Sequence, residues 1–223
     1  MKKFLLLCFI STLLISCKDG SSEDQNIPKE STNKIEDKIA LANGFKEFEN
    51  IKNLKFTFNV KVNDTLRTSR KWAWNVENNQ ISLTEKDSTM TYTKGDSIPE
   101  ENKYIDQRFV NDSYWLLFPF QLKWSNANIS EVTSAKAPIS GTEMQKLTAS
   151  YPSQGGYTPG DSYDVYFDKD HIIKEWVYKS SQGGRELATT WEDYQNHKGI
   201  KIANMHKSAD GTFQLFFTEV AAE

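Results

Sequence analysis

The chain has 223 residues, with 27 Lys and Arg against 30 Asp and Glu and a formal net charge of −3, so it carries no basic surplus suited to a nucleic-acid backbone. Its two cysteines, Cys8 and Cys17, both lie near the start, which leaves the rest of the chain without a thiol pair for a disulfide or a thiolate metal site. The aromatic content is high: six Trp, nine Tyr and thirteen Phe must find either a core or an apolar ligand.

Lys2 and Lys3 precede an apolar run over residues 4–15, too short to span a bilayer with ordinary flanks, and the run ends at Leu14-Ile15-Ser16-Cys17. That order describes a cleaved secretory signal, and the tetrad resembles the lipobox of bacterial lipoproteins. The resemblance implies that residues 1–16 are removed and that Cys17 becomes a lipidated N-terminus carrying palmitate-type chains. Losing Lys2 and Lys3 takes the formal charge from −3 to −5. Residues 17–31 are polar and short of apolar side chains, and they read as a flexible tether. Lys18 rather than Asp after the cysteine favours the outer membrane under the lipoprotein sorting rule that this resembles. Asp19, Glu23 and Asp24 look like the export tags of surface lipoproteins, so the periplasmic face and the cell surface both stay open.

Residues 32–223 read as one folded domain. A helix is expected over 32–43, with Ile35, Ile39 and Ala42 at helical spacing and Gly44 as a left-handed stop. A short turn carries Phe45 and Phe48 toward Ile51. The period then changes to two: Leu54, Phe56, Phe58, Val60 and Val62, then Trp72, Trp74 and Val76 beyond a turn at Asn63-Asp64, then Ile81, Leu83, Met90 and Tyr92. Residues 104–118 read as a second helix, and Pro119 is expected to end it. Strands return at 128–133, 143–151, 162–168, 172–179, 186–195, 200–207 and 212–220, with turns at Asp168-Lys169-Asp170, Gln182-Gly183-Gly184, His197-Lys198-Gly199 and Asp210-Gly211.

About ten or eleven short antiparallel strands with a helical interruption suit a sandwich, a closed barrel or a curved sheet wrapped around helices. The last fits best, because Tyr114-Trp115-Leu116-Leu117-Phe118-Pro119-Phe120 is apolar on every side and needs enclosure. That segment, together with Asn43-Gly44-Phe45, Ile51-Lys52-Asn53-Leu54-Lys55-Phe56-Thr57-Phe58, Tyr157-Thr158-Pro159-Gly160-Asp161, Trp176, Trp191 and Gly199-Ile200-Lys201, resembles uncharacterised secreted bacterial proteins related to the lipoprotein-sorting factors LolA and LolB. The resemblance implies a mainly β, α+β fold: an unclosed antiparallel β-barrel whose mouth is plugged by short helices and whose apolar cavity takes acyl chains. LolB is itself a lipoprotein, which suits Cys17.

Catalytic constellations are missing from the pattern. His171, His197 and His206 have no metal-ligand spacing and read as surface or loop residues, and there is no nucleophile elbow or phosphate loop. Asp161, Asp164, Asp168 and Asp170 depart from calcium-loop spacing and read as solvated acids of a hairpin, with Asp161 structural. The expectation is a non-enzymatic, cofactor-free, monomeric domain, lipid-anchored to the membrane, that binds an acyl chain, lipid or lipidated protein. Candidate ligand contacts are Phe56, Phe58, Trp72, Trp74, Tyr114, Trp115, Leu117, Phe118 and Phe120. The alternative is a surface module whose exposed Trp and Tyr rings bind glycan or another envelope protein.

Overall fold

The computed structural model describes residues 34–223. The signal, the lipobox at Cys17 and the tether lie outside the described residues. Two short helices, α1 (Ile35–Ala42) and α2 (Phe45–Phe48), lead into four strands: β1 (Asn53–Val62), β2 (Thr65–Asn75), β3 (Gln80–Glu85) and β4 (Ser88–Thr93). A 3-10 turn at Glu100–Asn102 opens α3 (Lys103–Trp124), which is followed by β5 (Asn128–Ile129), β6 (Thr133–Lys136), β7 (Glu143–Ser150), β8 (Ser162–Phe167) and β9 (Ile173–Lys179). The chain closes with β10 (Glu186–Thr190), β11 (Glu192–His197), β12 (Ile200–Lys207) and β13 (Phe213–Ala222).

All strand pairs are antiparallel. One sheet runs β11-β12-β13-β1-β2-β3-β4; the other runs β10-β9-β8-β7-β5, with β6 also on β7. β10 and β11 are consecutive and separated by Trp191 alone, so one run of chain serves both sheets. At the join, Trp191 N donates to Lys174 O at 2.7 Å and Lys207 N donates to Thr190 Oγ1 at 3.1 Å. The far edges, β4 on one side and β5 with β6 on the other, do not pair with each other. The architecture is therefore an unclosed antiparallel barrel, as the resemblance implies and in keeping with the curved sheet that the strand pattern favours.

Local chemistry explains the registers. Asn63 and Asp64 both have positive φ, 49° and 58°, which is the type I′ geometry that matches the twist of a two-residue hairpin and holds Val62 opposite Thr65. Gly44, at φ 90°, sits where an added Cβ would lie 2.2 Å from Gly199 O, so the corner between α1 and α2 closes tightly on the β11–β12 turn. There Lys201 N donates to Asn43 O at 2.9 Å.

Both sheets turn their apolar faces to α3. Ile105, Phe109, Leu116, Leu117 and Phe120 join the first sheet's Leu54, Phe56, Phe58, Trp72, Ile81, Leu83 and Phe217 in one core. Phe118 and Leu122 join Leu147, Val165, Phe167, Trp176 and Trp191 of the second, along with Ile39 of α1. Phe45 and Phe48 pack edge-on against Phe120, both at 5.5 Å, and so tie α2 to the second half of α3.

The expectation that Pro119 ends the helix is corrected: α3 continues to Trp124. Leu117 leaves helical geometry (φ −120°, ψ 25°), and this kink absorbs the clash between the proline ring and the preceding turn. Phe118, Phe120 and Leu122 then gain enough burial to hold the second half helical. Strand β2 also starts well before the expected Trp72, at Thr65, because its polar first half pairs with β1 despite lacking a hydrophobic face.

Candidate functional site

The interior around α3 contains most of the residues chosen from the sequence. Phe56, Phe58, Trp72, Leu117, Phe118 and Phe120 are buried, and Trp74, Tyr114 and Trp115 are half-buried. The structure divides them between the two cores rather than gathering them around one point. Trp115 is the exception, because it packs against both. Its ring meets Trp176 at 4.4 Å, His206 at 5.3 Å and Phe213 at 6.4 Å. Phe118 lies deeper, edge-on to Trp176 at 4.9 Å. Of the six tryptophans only Trp124 is strongly exposed, at 42 %, so the others do not stand out as stacking platforms for a sugar.

Two buried carboxylates on the first half of α3 give the interior its polar groups, and the sequence reading missed both. Asp112 receives Arg70 Nε at 2.7 Å, Arg70 Nη2 at 2.5 Å and Trp72 Nε1 at 2.8 Å. Burial pushes its carboxyl upward, and the Arg70 guanidinium pulls it back. The signal was present in β2, where Arg70, Trp72 and Trp74 alternate onto one face, so Arg70 had to find a buried partner. Asp106 accepts Tyr92 OH at 2.8 Å, Lys94 Nζ at 2.7 Å and the Tyr157 hydroxyl. Its burial works to raise the carboxyl, but these three donors hold it below the ordinary value.

Hydroxyls form a second polar group beside the aromatic one. Tyr114 OH lies 2.6 Å from Tyr151 OH, which donates to Ser125 Oγ at 3.0 Å. Burial raises Tyr114 and Tyr163 well above the usual phenol range, so both stay protonated and serve as hydrogen-bonding groups rather than bases.

His206 corrects the expectation of a surface histidine. It faces inward with Ile200 and Ile202 and has no exposed surface, lying 4.4 Å from the Trp191 ring. Burial pushes it down to about 3, so it is neutral. The hairpin acids are likewise less solvated than expected. Asp164 is buried and ion-paired with Lys146 and Lys179, at 3.1 and 2.9 Å. Asp161 accepts Tyr178 OH, Ser181 N and Ser181 Oγ at 2.8, 2.9 and 3.1 Å, and so ties the β7–β8 loop to the turn after β9.

A cleft of about 620 Å³ opens on the second sheet, between the β6–β7 turn, the β8–β9 turn and the β10–β11 junction. None of the nine chosen residues lines it. Two of its carboxylates are occupied in holding turns or pairing locally: Glu175 accepts Ile139 N at 2.7 Å and Ser140 N at 2.9 Å, and Asp168 pairs with Lys174 at 3.1 Å. Among the described residues no group of three His, Cys, Asp or Glu side chains is placed to hold a metal ion. No described helix is long and apolar enough to cross a membrane.

No family model matches the chain, and no curated protein matches it. Among solved structures, the chain is similar to a DUF1329 family protein from Desulfovibrio piger, at TM-score 0.45 and 10% identity over 85% of this chain and 93% of that one. It is also similar to a domain described as a candidate outer membrane lipoprotein-sorting protein from Vibrio parahaemolyticus, at TM-score 0.45 and 12% identity over 85% and 94%. A third likeness is to the lipoprotein LppX of Mycobacterium tuberculosis, at TM-score 0.31 and 9% identity over 82% and 94%. These are distant likenesses of backbone course, and they assign neither ligand nor partner to this chain.

Proposed function

We propose that this protein is a lipid-anchored, non-catalytic binding protein of the bacterial cell envelope, whose half-barrel takes an acyl chain, a lipid or the lipid part of a lipoprotein beside α3. The observation that supports the reading is the placement of Trp115. It stands half-buried on an interior helix, in contact with the apolar groups of both sheets, in a barrel whose edge strands leave a seam. A sheet that does not close can widen at its seam without breaking a strand pair, and an interior of aromatic rings offers dispersion contacts to a hydrocarbon chain. The two carboxylates of α3 are each matched to donors on the strands, which leaves the aromatic groups around Trp115 as the apolar lining.

The anchor is Cys17, on the strength of its tetrad, with the outer membrane as the destination. Cys17→Ala is expected to release the protein from membranes without unfolding residues 34–223; retention through a high-salt wash would contradict the anchor. For the ligand, the protein lacking residues 1–24 is purified and extracted for lipid by mass spectrometry, then titrated with a fluorescent fatty acid. A co-purifying lipid and a saturable titration are expected, and the absence of both overturns the reading.

A further inference from the structure

The loop between β7 and β8 joins the two far ends of the sheet system. Tyr157, near its middle, donates its hydroxyl to Asp106 of α3 and accepts from Lys94 Nζ at 3.1 Å. Lys94 directly follows the edge strand β4, whereas β7, from which the loop departs, carries the opposite edge strands β5 and β6. The contact therefore spans the seam that strand pairing leaves open.

The loop is held firmly at its base and by one side chain beyond it. Tyr151 N donates to Asp161 O at 2.9 Å, Gly160 N to Pro152 O at 2.8 Å, and Ser181 Oγ to Pro159 O at 2.8 Å. Between these anchors, residues 153–156 make no hydrogen bond among the described residues. Gly155 and Gly156 have positive φ, 76° and 69°, and no atom stands within 4 Å of an added Cβ at either. Such a segment swings at little cost, because few contacts must break. Tyr157 is 49 % exposed, and the tip is held by its hydroxyl and by the Lys94 ammonium 5.1 Å from its ring centroid, whereas Asp106 beneath it is buried.

We propose that residues 152–160 form a strap across the seam, latched by the Tyr157 hydroxyl on Asp106, and that an acyl chain enters the interior past it. The second half of this statement rests on the carrier reading above; the first does not. A hydrogen bond to an ionised carboxylate is among the stronger ones, so its loss is expected to raise the open population about ten-fold.

The test compares full-length protein with Tyr157→Phe, which keeps the ring, and with Tyr157→Ala, which removes it. Limited proteolysis by proteinase K reads the loop, and the rate of uptake of carbon-13-labelled palmitic acid reads entry. Cleavage within 152–160 is expected about ten-fold faster in Tyr157→Phe and faster than wild type in Tyr157→Ala, with palmitic acid taken up faster by a similar factor and cleavage elsewhere unchanged. Unchanged cleavage in the loop overturns the latch. Faster cleavage with an unchanged uptake rate overturns the seam as the entry path and leaves the carrier reading standing. If the loop loosens but neither wild type nor variant takes up palmitic acid, the carrier reading and the entry path fall together.

Discussion

The two halves of α3 are held by different physics. Before Leu117 the helix buries two carboxylates, each matched to donors on the strands: Asp106 to Tyr92 and Lys94, Asp112 to Arg70 and Trp72. Beyond the kink no carboxylate is buried, and Phe118, Phe120 and Leu122 are enclosed by apolar neighbours. Dispersion and burial are indifferent to direction, and the second half adds to them one charge-assisted contact near its end, from Lys123 Nζ to Asp37 of α1 at 2.8 Å. In the first half such hydrogen bonds end on the buried carboxylates of α3 itself, where it faces the sheet that ends in the free edge β4. The difference teaches that this barrel fixes its interior helix mainly by buried polar contacts toward the seam and holds it mainly by aromatic packing away from it.

The largest way to break that contrast is Asp112→Ala. It leaves the Arg70 guanidinium, whose side chain is 14 % exposed, without its counter-ion, and is expected to cost about 3–5 kcal/mol in urea unfolding. The double variant Arg70→Met, Asp112→Leu should recover most of that loss, since what is costly is the unpaired charge. If it does not, the pair contributes more than position.

A second test uses pH against the aromatic region. His206 is held at about 3 in the folded protein, against an ordinary value of 6.5. Between those values the unfolded chain binds a proton that the folded one refuses, so stability falls as pH falls through this window and is fully present above it. The slope approaches about 1.4 kcal/mol per pH unit. His206→Phe should flatten the loss between about pH 6 and pH 5, where carboxylates contribute little. An unchanged slope would mean that the imidazole is not the group responsible. A smaller effect is expected at the hairpin: Asp161→Ala removes three hydrogen bonds and should lower stability by about 1–3 kcal/mol, with fatty-acid affinity unchanged.

Much of the fold was readable because its strands obey simple rules. Ile200–Lys207 is found where the alternation puts it, and Asn63-Asp64 turns the chain as its residue types require. Other features depend on contacts that no local pattern displays. The run 186–195 reads as one strand, yet it is divided at Trp191 because its halves pair with β9 and β12 in different sheets. Helix beyond Pro119 exists through tertiary burial that outweighs a local breaker. For the interior, residue type revealed the aromatic groups but not their depth, because period separates the faces of a strand without saying how far in each ring lies. His206 shows this: its alternation with Ile200 and Ile202 placed it inward, while its polarity suggested the surface.

Depth is also what separates Trp115 from Phe118, and it gives the most direct measurement. Phe118 has no exposed surface, so Phe118→Ala should cost about 3–5 kcal/mol of stability. Trp115 is half-buried where the two cores meet, so Trp115→Ala should cost less than that and leave the domain folded. Its effect should fall instead on affinity for a fluorescent fatty acid, measured beside thermal unfolding of the same samples. A folded Trp115→Ala protein with weakened binding is the predicted result. Unfolding of both variants, or binding that survives the loss of Trp115 unchanged, would contradict an acyl ligand held against α3.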